Sequence, residues 1–399
     1  MASNLQDIYD RLYAYCKAED FAGYDPFDGL NSALFQLTPL KHMRIARLAW
    51  LQMGKRSPVD LRGILRVEKG VNPKTLALFA LAELSRYRTT TDATHADNAK
   101  KLLSEMLELG IAREKTLAFG YNFDWQSRFF YAPRGTPAIV PTAFAARALL
   151  EAFHTLQDDE YLVHARKVGE FVLTGLNRSV ETDDEVCFSY TPLDRSVIIN
   201  ANLLAGETLA GIGVVTGEQV HLSIAAKTVR FALQMQRANG SWAYGAGEKQ
   251  GWVDNFHTVY VLLSLFRISG AMKSLRSDTF DALQRGTAYW LDNFFLDDGT
   301  PKYFDNAVYP VDIHSAAAAI AAASELAPID ERMLPMVRST LRWVIDNMLS
   351  PEGYFYYQIR KDRAVKTSFM RWGQAWMGYA IARLIEAEQT VPETFVHGE

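Results

Sequence analysis

The chain has 399 residues, 49% of them hydrophobic, and a net charge of −4. It is long enough for a large buried core, and its charge gives no basic field for nucleic acid. The two cysteines, Cys16 and Cys187, make neither a disulfide framework nor a metal-binding spacing and read as buried thiols. The N-terminal stretch MASNLQDIYDRLYAYCKAED lacks an apolar signal core, and no run reaches the about 18 apolar residues of a membrane span. A cytoplasmic protein without an integral membrane segment is expected. No Pro/Ser/Gly-rich linker interrupts the pattern, so residues 1–399 are expected to form one domain.

In chain order, residues 1–55 read as a helix pair, near 5–18 and 39–53, around the aromatic loop Gly23-Tyr24-Asp25-Pro26-Phe27-Asp28-Gly29. This pair is expected as a cap on a larger repeat, with a seventh hairpin as the alternative. Six Ala- and Leu-rich segments follow, starting near Asn72, Pro141, Asn200, Asp254, Asp312 and Arg371, roughly 54 to 69 residues apart. Each is apolar nearly all round, as suits a helix buried on every side. Between them lie more charged helices near 97–109, 161–176, 219–235, 280–294 and 331–348. In the first of these, Leu102, Leu103, Met106 and Leu107 recur at helical spacing among Lys100, Lys101, Glu105 and Glu108. That is one buried stripe and one wet face. A helix–loop–helix unit of this kind cannot bury its apolar face alone, and a closed ring leaves no exposed ends. The expected fold is all-α: an α/α toroid of six hairpins, the apolar helices inside and the amphipathic ones outside.

The loops that enter the inner helices should share one face of the ring and form a bowl. They bring Asp124, Trp125 and Arg128, then Tyr190, then Trp242, Tyr244, Trp252, Asp254, Asn255 and His257. Tyr303, Asp305 and His314 follow, and last Arg371 and Trp372. Aromatic platforms beside carboxylates, amides and guanidinium groups suit a carbohydrate, whose C–H faces stack and whose hydroxyls need placed polar partners. Arg128 and Arg371 suit a carboxylate or phosphate on the ligand. Plain structural roles compete. Asp254, Asp312 and Asn200 sit where helices start and can be N-caps. Trp242 can plug the gap between two helices, and His257 and His314 can be core histidines. Two inner helices nevertheless carry an acid closely followed by His, Asp254-Asn255-Phe256-His257 and Asp312-Ile313-His314.

The stretches Gly-Trp-Val-Asp-Asn-Phe-His-Thr at 251–258, Val-Asp-Ile-His-Ser-Ala-Ala at 311–317 and Arg-Trp-Gly-Gln-Ala-Trp-Met at 371–377 resemble the six-hairpin glycosidase-like superfamily. The likeness is strongest to a branch found in capsule, exopolysaccharide and O-antigen biosynthesis clusters, and it runs from about residue 72 to 388. It implies the toroid and a carbohydrate-active protein, and it transfers no catalytic pair. Gln236-Arg-Ala-Asn-Gly-Ser-Trp242 also resembles the turn of terpene cyclases, but in a single copy and without their Asp-rich acid motif.

The leading expectation is a glycoside hydrolase-like enzyme of polysaccharide metabolism or biosynthesis, acting on an oligosaccharide or glycan intermediate. It would use two carboxyl groups in an aromatic-lined cavity. Asp254, at the positive end of a helix dipole, is expected as base or nucleophile. Asp124 and Asp305, beside aromatic neighbours in the chain, are expected as candidates for the acid. The alternatives are a sugar epimerase or uronate lyase with His257 and His314 as base and acid, and a glycan-binding assembly protein without turnover. No HExxH, Cys/His cluster, EF-hand or phosphate loop is present, so no metal and no cofactor is expected.

Overall fold

Helices that are apolar all round cannot face water, so they gather around a common axis and need an outer layer. The computed structural model describes residues 2–57 and 59–390. Met1, Pro58 and residues 391–399 of the expected single domain lie outside the described residues. In chain order the helices are α1 (Ala2–Ala18), α2 (Ala33–Gln36), α3 (Arg44–Arg56), α4 (Pro73–Thr90) and α5 (Ala93–Glu108). Then come α6 (Ile139–Leu156), α7 (Asp159–Gly175), α8 (Ile199–Thr216), α9 (Gln219–Gln234) and α10 (Asn255–Ala271). The last four are α11 (Arg276–Phe294), α12 (Ile313–Leu326), α13 (Met333–Met348) and α14 (Ala375–Thr390).

The inner ring is α4, α6, α8, α10, α12 and α14. Each packs on the next, and α14 packs back on α4 to close the circle. The amphipathic α5, α7, α9, α11 and α13 lie outside, so the chain is an all-α toroid of alternating outer and inner helices. Short two- to four-residue strands in the loops are the only sheet among the described residues. Both cysteines are buried free thiols.

The N-terminal pair divides between two places. α1 packs on α14, and its Tyr9 and Tyr13 meet Glu83 and Phe79 of α4. It therefore takes the sixth outer position, where its buried stripe of Leu5, Ile8, Tyr9 and Leu12 completes the core. The 3-10 turns, α2 and α3 form an insertion between α1 and α4, and α3 lies against the bowl.

One backbone contact repeats around the ring. The first N–H of each of four inner helices donates to a tyrosine carbonyl of the next loop: Ile139 to Tyr190, Ile199 to Tyr244, Asn255 to Tyr303 and Ile313 to Tyr357, at 2.9–3.2 Å. Met370 donates likewise to Tyr24 at 3.3 Å. Pro73 has no N–H, and here Asn72 Nδ2 reaches Asn122 Oδ1 instead, at 2.9 Å. These bonds satisfy helix-end donors and tie neighbouring loops together. They explain why tyrosines recur at the loop ends.

Candidate functional site

At the N-terminal ends of the inner helices lies a cavity of about 420 Å³. All six inner segments reach it: Lys74 of α4, Val140 of α6, Asn200 of α8, Phe256, His257 and Tyr260 of α10, His314 of α12, and Arg371 with Trp372 in the π-turn before α14. Phe27 and the α3 residues Leu48, Leu51, Gln52 and Lys55 complete the wall.

Two histidines face this space, each oriented through Nδ1. Asp254 caps α10, its Oδ1 accepting from the His257 backbone N–H at 3.1 Å. Its Oδ2 lies 2.7 Å from His257 Nδ1 and accepts from Trp252 Nε1 at 3.0 Å. The carboxylate thus fixes the Nδ1–H tautomer and leaves Nε2, which makes no hydrogen bond among the described residues, as a lone-pair acceptor. Asp254 is therefore both cap and orienting group.

His314 lies deeper, 1% exposed. Its Nδ1 donates to the Trp372 carbonyl at 3.0 Å, so Nε2 accepts from the Tyr260 hydroxyl, also at 3.0 Å. Tyr260 in turn accepts from Lys74 Nζ at 2.9 Å. Lys74 sits among Phe144, Tyr260 and Trp376, with Nζ 4.2 Å from the Phe144 ring centre. Burial pushes the Lys74 amine well below the usual lysine range, and Arg371 and Arg147 add to this. Burial, then Lys74 and Arg371, likewise holds His314 well below the usual histidine range. Burial raises the Tyr260 phenol. Burial thus favours the neutral form of all three, which make a hydrogen-bonded string along the cavity wall. The acid of the second acid–His motif, Asp312, is fully buried behind Trp372. It caps α12 through the His314 N–H and accepts from Trp372 Nε1 and Gln358 Nε2. Burial raises it to about 6.

Arg371 is clamped by Asp25, Nε to Oδ2 at 2.6 Å and Nη2 to Oδ1 at 2.9 Å, over the Tyr121 ring. Burial opposes its charge, but Asp25 keeps it above the ordinary arginine range. Tyr244 stacks on Trp252 with ring centres 4.5 Å apart, and Tyr190 bonds Tyr121 through their hydroxyls at 2.7 Å. Trp125 packs on Tyr190, and Arg128 lies over Trp252 at the rim. Tyr303, beside Phe256, completes the aromatic lining.

Four expected site residues lie elsewhere. Asp124 faces away from the cavity and accepts from Tyr131 Oη and the Arg134 N–H. Its neighbours Phe123 and Trp125 line the cavity, while the Asp124 carboxylate is held on the other side by these two bonds. Asp305 accepts from Tyr289 Oη. Trp242 is buried, donates to the Ala232 carbonyl and fills the space over Gly286, where a Cβ would come 2.4 Å from its ring. Asn255 ties Trp290 Nε1 to the Lys302 carbonyl. Asn200 is not a cap: α8 begins one residue earlier, and the buried Asn200 Oδ1 has no hydrogen-bond partner. Lys74, Tyr260, Lys55 and Asn200 are thus site residues that the loop inventory missed. Among the described residues Asp254 is the sole carboxylate of the wall, which also carries Lys55, Arg128 and the Asp25-paired Arg371, with Lys74 held toward its neutral form. Among the described residues no cluster of three His, Cys, Asp or Glu side chains could hold a metal.

By sequence, the chain matches no protein-family model and none of the curated proteins. Its fold is similar to that of solved structures. One is cellobiose 2-epimerase from Bacillus thermoamylovorans B4167, at TM-score 0.63 and 12% identity, covering 82% of this chain and 90% of that one. A glycosyl hydrolase of family 88 from Bacteroides vulgatus matches at TM-score 0.58 and 9% identity, over 79% and 94% of the two chains. A D-mannose isomerase matches at TM-score 0.59 and 14% identity, over 80% and 88%. What the chain shares with these structures is the α/α toroid fold.

Proposed function

We propose that the chain is a sugar epimerase or isomerase in which His257 removes a proton beside a carbonyl. The observation that carries this reading is the cavity wall: two histidines with fixed tautomers and a single carboxylate already committed to one of them. A glycoside hydrolase needs two carboxyl groups across the scissile bond, and Asp254 has no such partner on the wall. The names of two fold neighbours, an epimerase and an isomerase, agree with the reading.

In this reaction the ring-opened sugar presents its carbonyl to Arg371. His257 Nε2 takes the proton from the adjacent carbon, the C–H pair forms a C–C double bond, and the carbonyl π pair moves onto oxygen as an enediolate. Asp254 stabilises the resulting imidazolium. Within the string of Lys74, Tyr260 and His314, the Tyr260 O–H gives its proton to carbon, the phenolate is held by the Lys74 N–H, and the proton left on His257 returns to Tyr260 through water. Delivery of the Tyr260 proton to the same carbon on the opposite face inverts the centre. Its delivery to the former carbonyl carbon, with an O–H proton crossing between the oxygens, gives the isomer. The unpaired Asn200 oxygen accepts from a sugar hydroxyl, and Tyr244, Trp252 and Trp125 take the C–H faces.

Lys55, Arg128 and Arg371 on a wall whose one carboxylate is already bonded to His257 favour an acidic sugar. With a uronate, the same proton removal followed by loss of the group on C4 is a β-elimination, which is the second reading. In keeping with the sequence resemblance, the sugar is taken as a surface-polysaccharide precursor handled in the cytoplasm.

The test is solvent exchange. Reducing sugars and uronates are incubated with the protein in deuterated water, and loss of the C–H signal is followed by NMR. Exchange with an epimer or isomer as product supports the first reading, and an unsaturated uronate supports the second. Sugar binding with no exchange in any substrate makes the chain a glycan-binding protein and ends both. Asp254→Asn should lower exchange by about 10²–10⁴. The helix should keep its cap, because Asn caps about as well as Asp.

A further inference from the structure

The insertion between α1 and α4 differs in surface from the rest of the toroid. Of the seventeen exposed large hydrophobic side chains among the described residues, eight fall between Leu34 and Ile64. Leu37 is 85% exposed, Ile45 78% and Ile64 73%. Soluble surfaces scatter such side chains singly, and a concentration in one short segment marks a contact surface. α3 is apolar on two sides. Leu48 and Leu51 face the cavity, while Ile45 and Met53, two turns apart on the helix, are exposed.

The same segment is basic. From Leu37 to Arg66 it carries seven Lys or Arg and one Asp, in a chain whose net charge is −4. Arg44 and Arg66 are exposed. Arg44 Nη2 donates to the Arg128 carbonyl at 2.5 Å, which joins the patch to the cavity rim. There Gln52, Arg128 and Phe129 are both exposed and part of the cavity lining, so they mark its mouth.

We infer that this insertion seats the mouth of the cavity on an anionic lipid surface. Exposed apolar side chains enter the boundary between headgroups and acyl chains, and flanking cations meet anionic headgroups. The apolar side chains come from four short elements: α2, the turn after it, α3, and the loop that follows α3. Scattered tips of this kind fit a fluid surface better than a shaped groove. A second copy of the chain, docked through the same patch, would set one basic surface against another.

The test uses the whole chain in vesicle flotation. One set of vesicles is phosphatidylcholine alone, and the other is an equal mixture with phosphatidylglycerol. The expected result is flotation with the anionic vesicles only, weakening as salt rises. Arg44→Glu combined with Arg66→Glu should lower the partition coefficient by at least about tenfold. Leu37→Ser, Ile45→Ser and Ile64→Ser together should do the same, with unchanged circular dichroism. If the variants fail to fold, the lipid and salt dependence of the unaltered chain decides. The inference is overturned by no flotation with either vesicle, by equal flotation with both, or by a dimer in sedimentation velocity that the serine variant dissolves while the unaltered chain ignores vesicles.

Discussion

The two ends of the inner helices use charge in opposite ways. At the C-terminal end Arg147 bonds Glu207, Glu207 bonds Arg267, Arg267 grips Glu325 through two nitrogens, and Arg383 meets Glu325 and Glu386. Cations and carboxylates alternate there around a second cavity of about 270 Å³, and each charge has a partner. Burial opposes ionisation of Glu325, but Arg267 and Arg383 hold its carboxyl down at about 2. At the N-terminal end Lys55 and Arg128 share a wall with one carboxylate already bonded to His257, and two histidines and an unpaired amide face the space. A compensated network holds helices together. An uncompensated one is costly unless a ligand completes it, so the imbalance identifies the working end.

The sharpest way to break the comparison is His257→Gln. It removes the one imidazole nitrogen left free to accept a proton, and solvent exchange should fall by about 10²–10⁴ with the thermal melt little changed. Retained exchange would move the base to another group. At the opposite end, Glu325→Gln should leave activity per folded molecule intact. It should cost on the order of 3 kcal/mol in stability, read by denaturant unfolding, because the largely buried Arg267 loses its two-point charged partner. Glu325 has a depressed folded pKa. Its stabilisation is therefore full above the ordinary carboxylate range and is lost as pH falls toward about 2, a slope the Gln variant lacks.

The two ends also differ in how far they can be read from sequence. The toroid is legible because Ala-rich and amphipathic helices alternate at a regular period. The loop side is legible because each inner helix is entered through a polar, aromatic turn. Trp125, Tyr190, Tyr244, Trp252, His257, His314, Arg371 and Trp372 gather at one cavity as that pattern implies. Asp124 and Asp305 do not, because a neighbour in the chain is not a neighbour in space: Tyr131 and the Arg134 N–H hold Asp124 away from the side that Trp125 takes. Lys74 and Tyr260 escape notice because they lie inside helices that read as uniformly apolar. Tyr260 lies three residues after His257, hence on the same helix face, and Lys74 is the one charge in the first ten residues of α4. The helix of the insertion carries no period that would place it over the bowl.

Lys74→Met sharpens the comparison by separating structure from chemistry. Methionine fills the aromatic cage but gives Tyr260 no N–H. Turnover should drop by about tenfold or more, with an altered pH profile, because the string loses its end. Stability should hold or rise, since a buried amine is replaced by an apolar chain of similar length. The folded state favours neutral Lys74, so the unaltered chain loses stability as pH falls from the ordinary lysine range toward that lowered pKa, and the variant does not. A change in melting temperature with unchanged kcat and pH profile would make Lys74 a packing residue only.

The smallest expected effect falls on Lys55, carried by the insertion over the Phe27 ring. Burial lowers its amine to about 8, against the pull of Asp25 and Asp312. Below that pH it adds a positive charge to the mouth, and above it the charge is lost. For an acidic sugar, KM should rise severalfold as pH climbs through about 8, with kcat little changed, since the charge acts on binding and not on the proton at His257. Lys55→Arg keeps the charge at every accessible pH and should flatten the rise. A neutral sugar should show no rise with either protein. If KM climbs equally for neutral and acidic sugars, or still climbs in the Arg variant, the dependence belongs to another group and the cationic wall is not what selects the substrate.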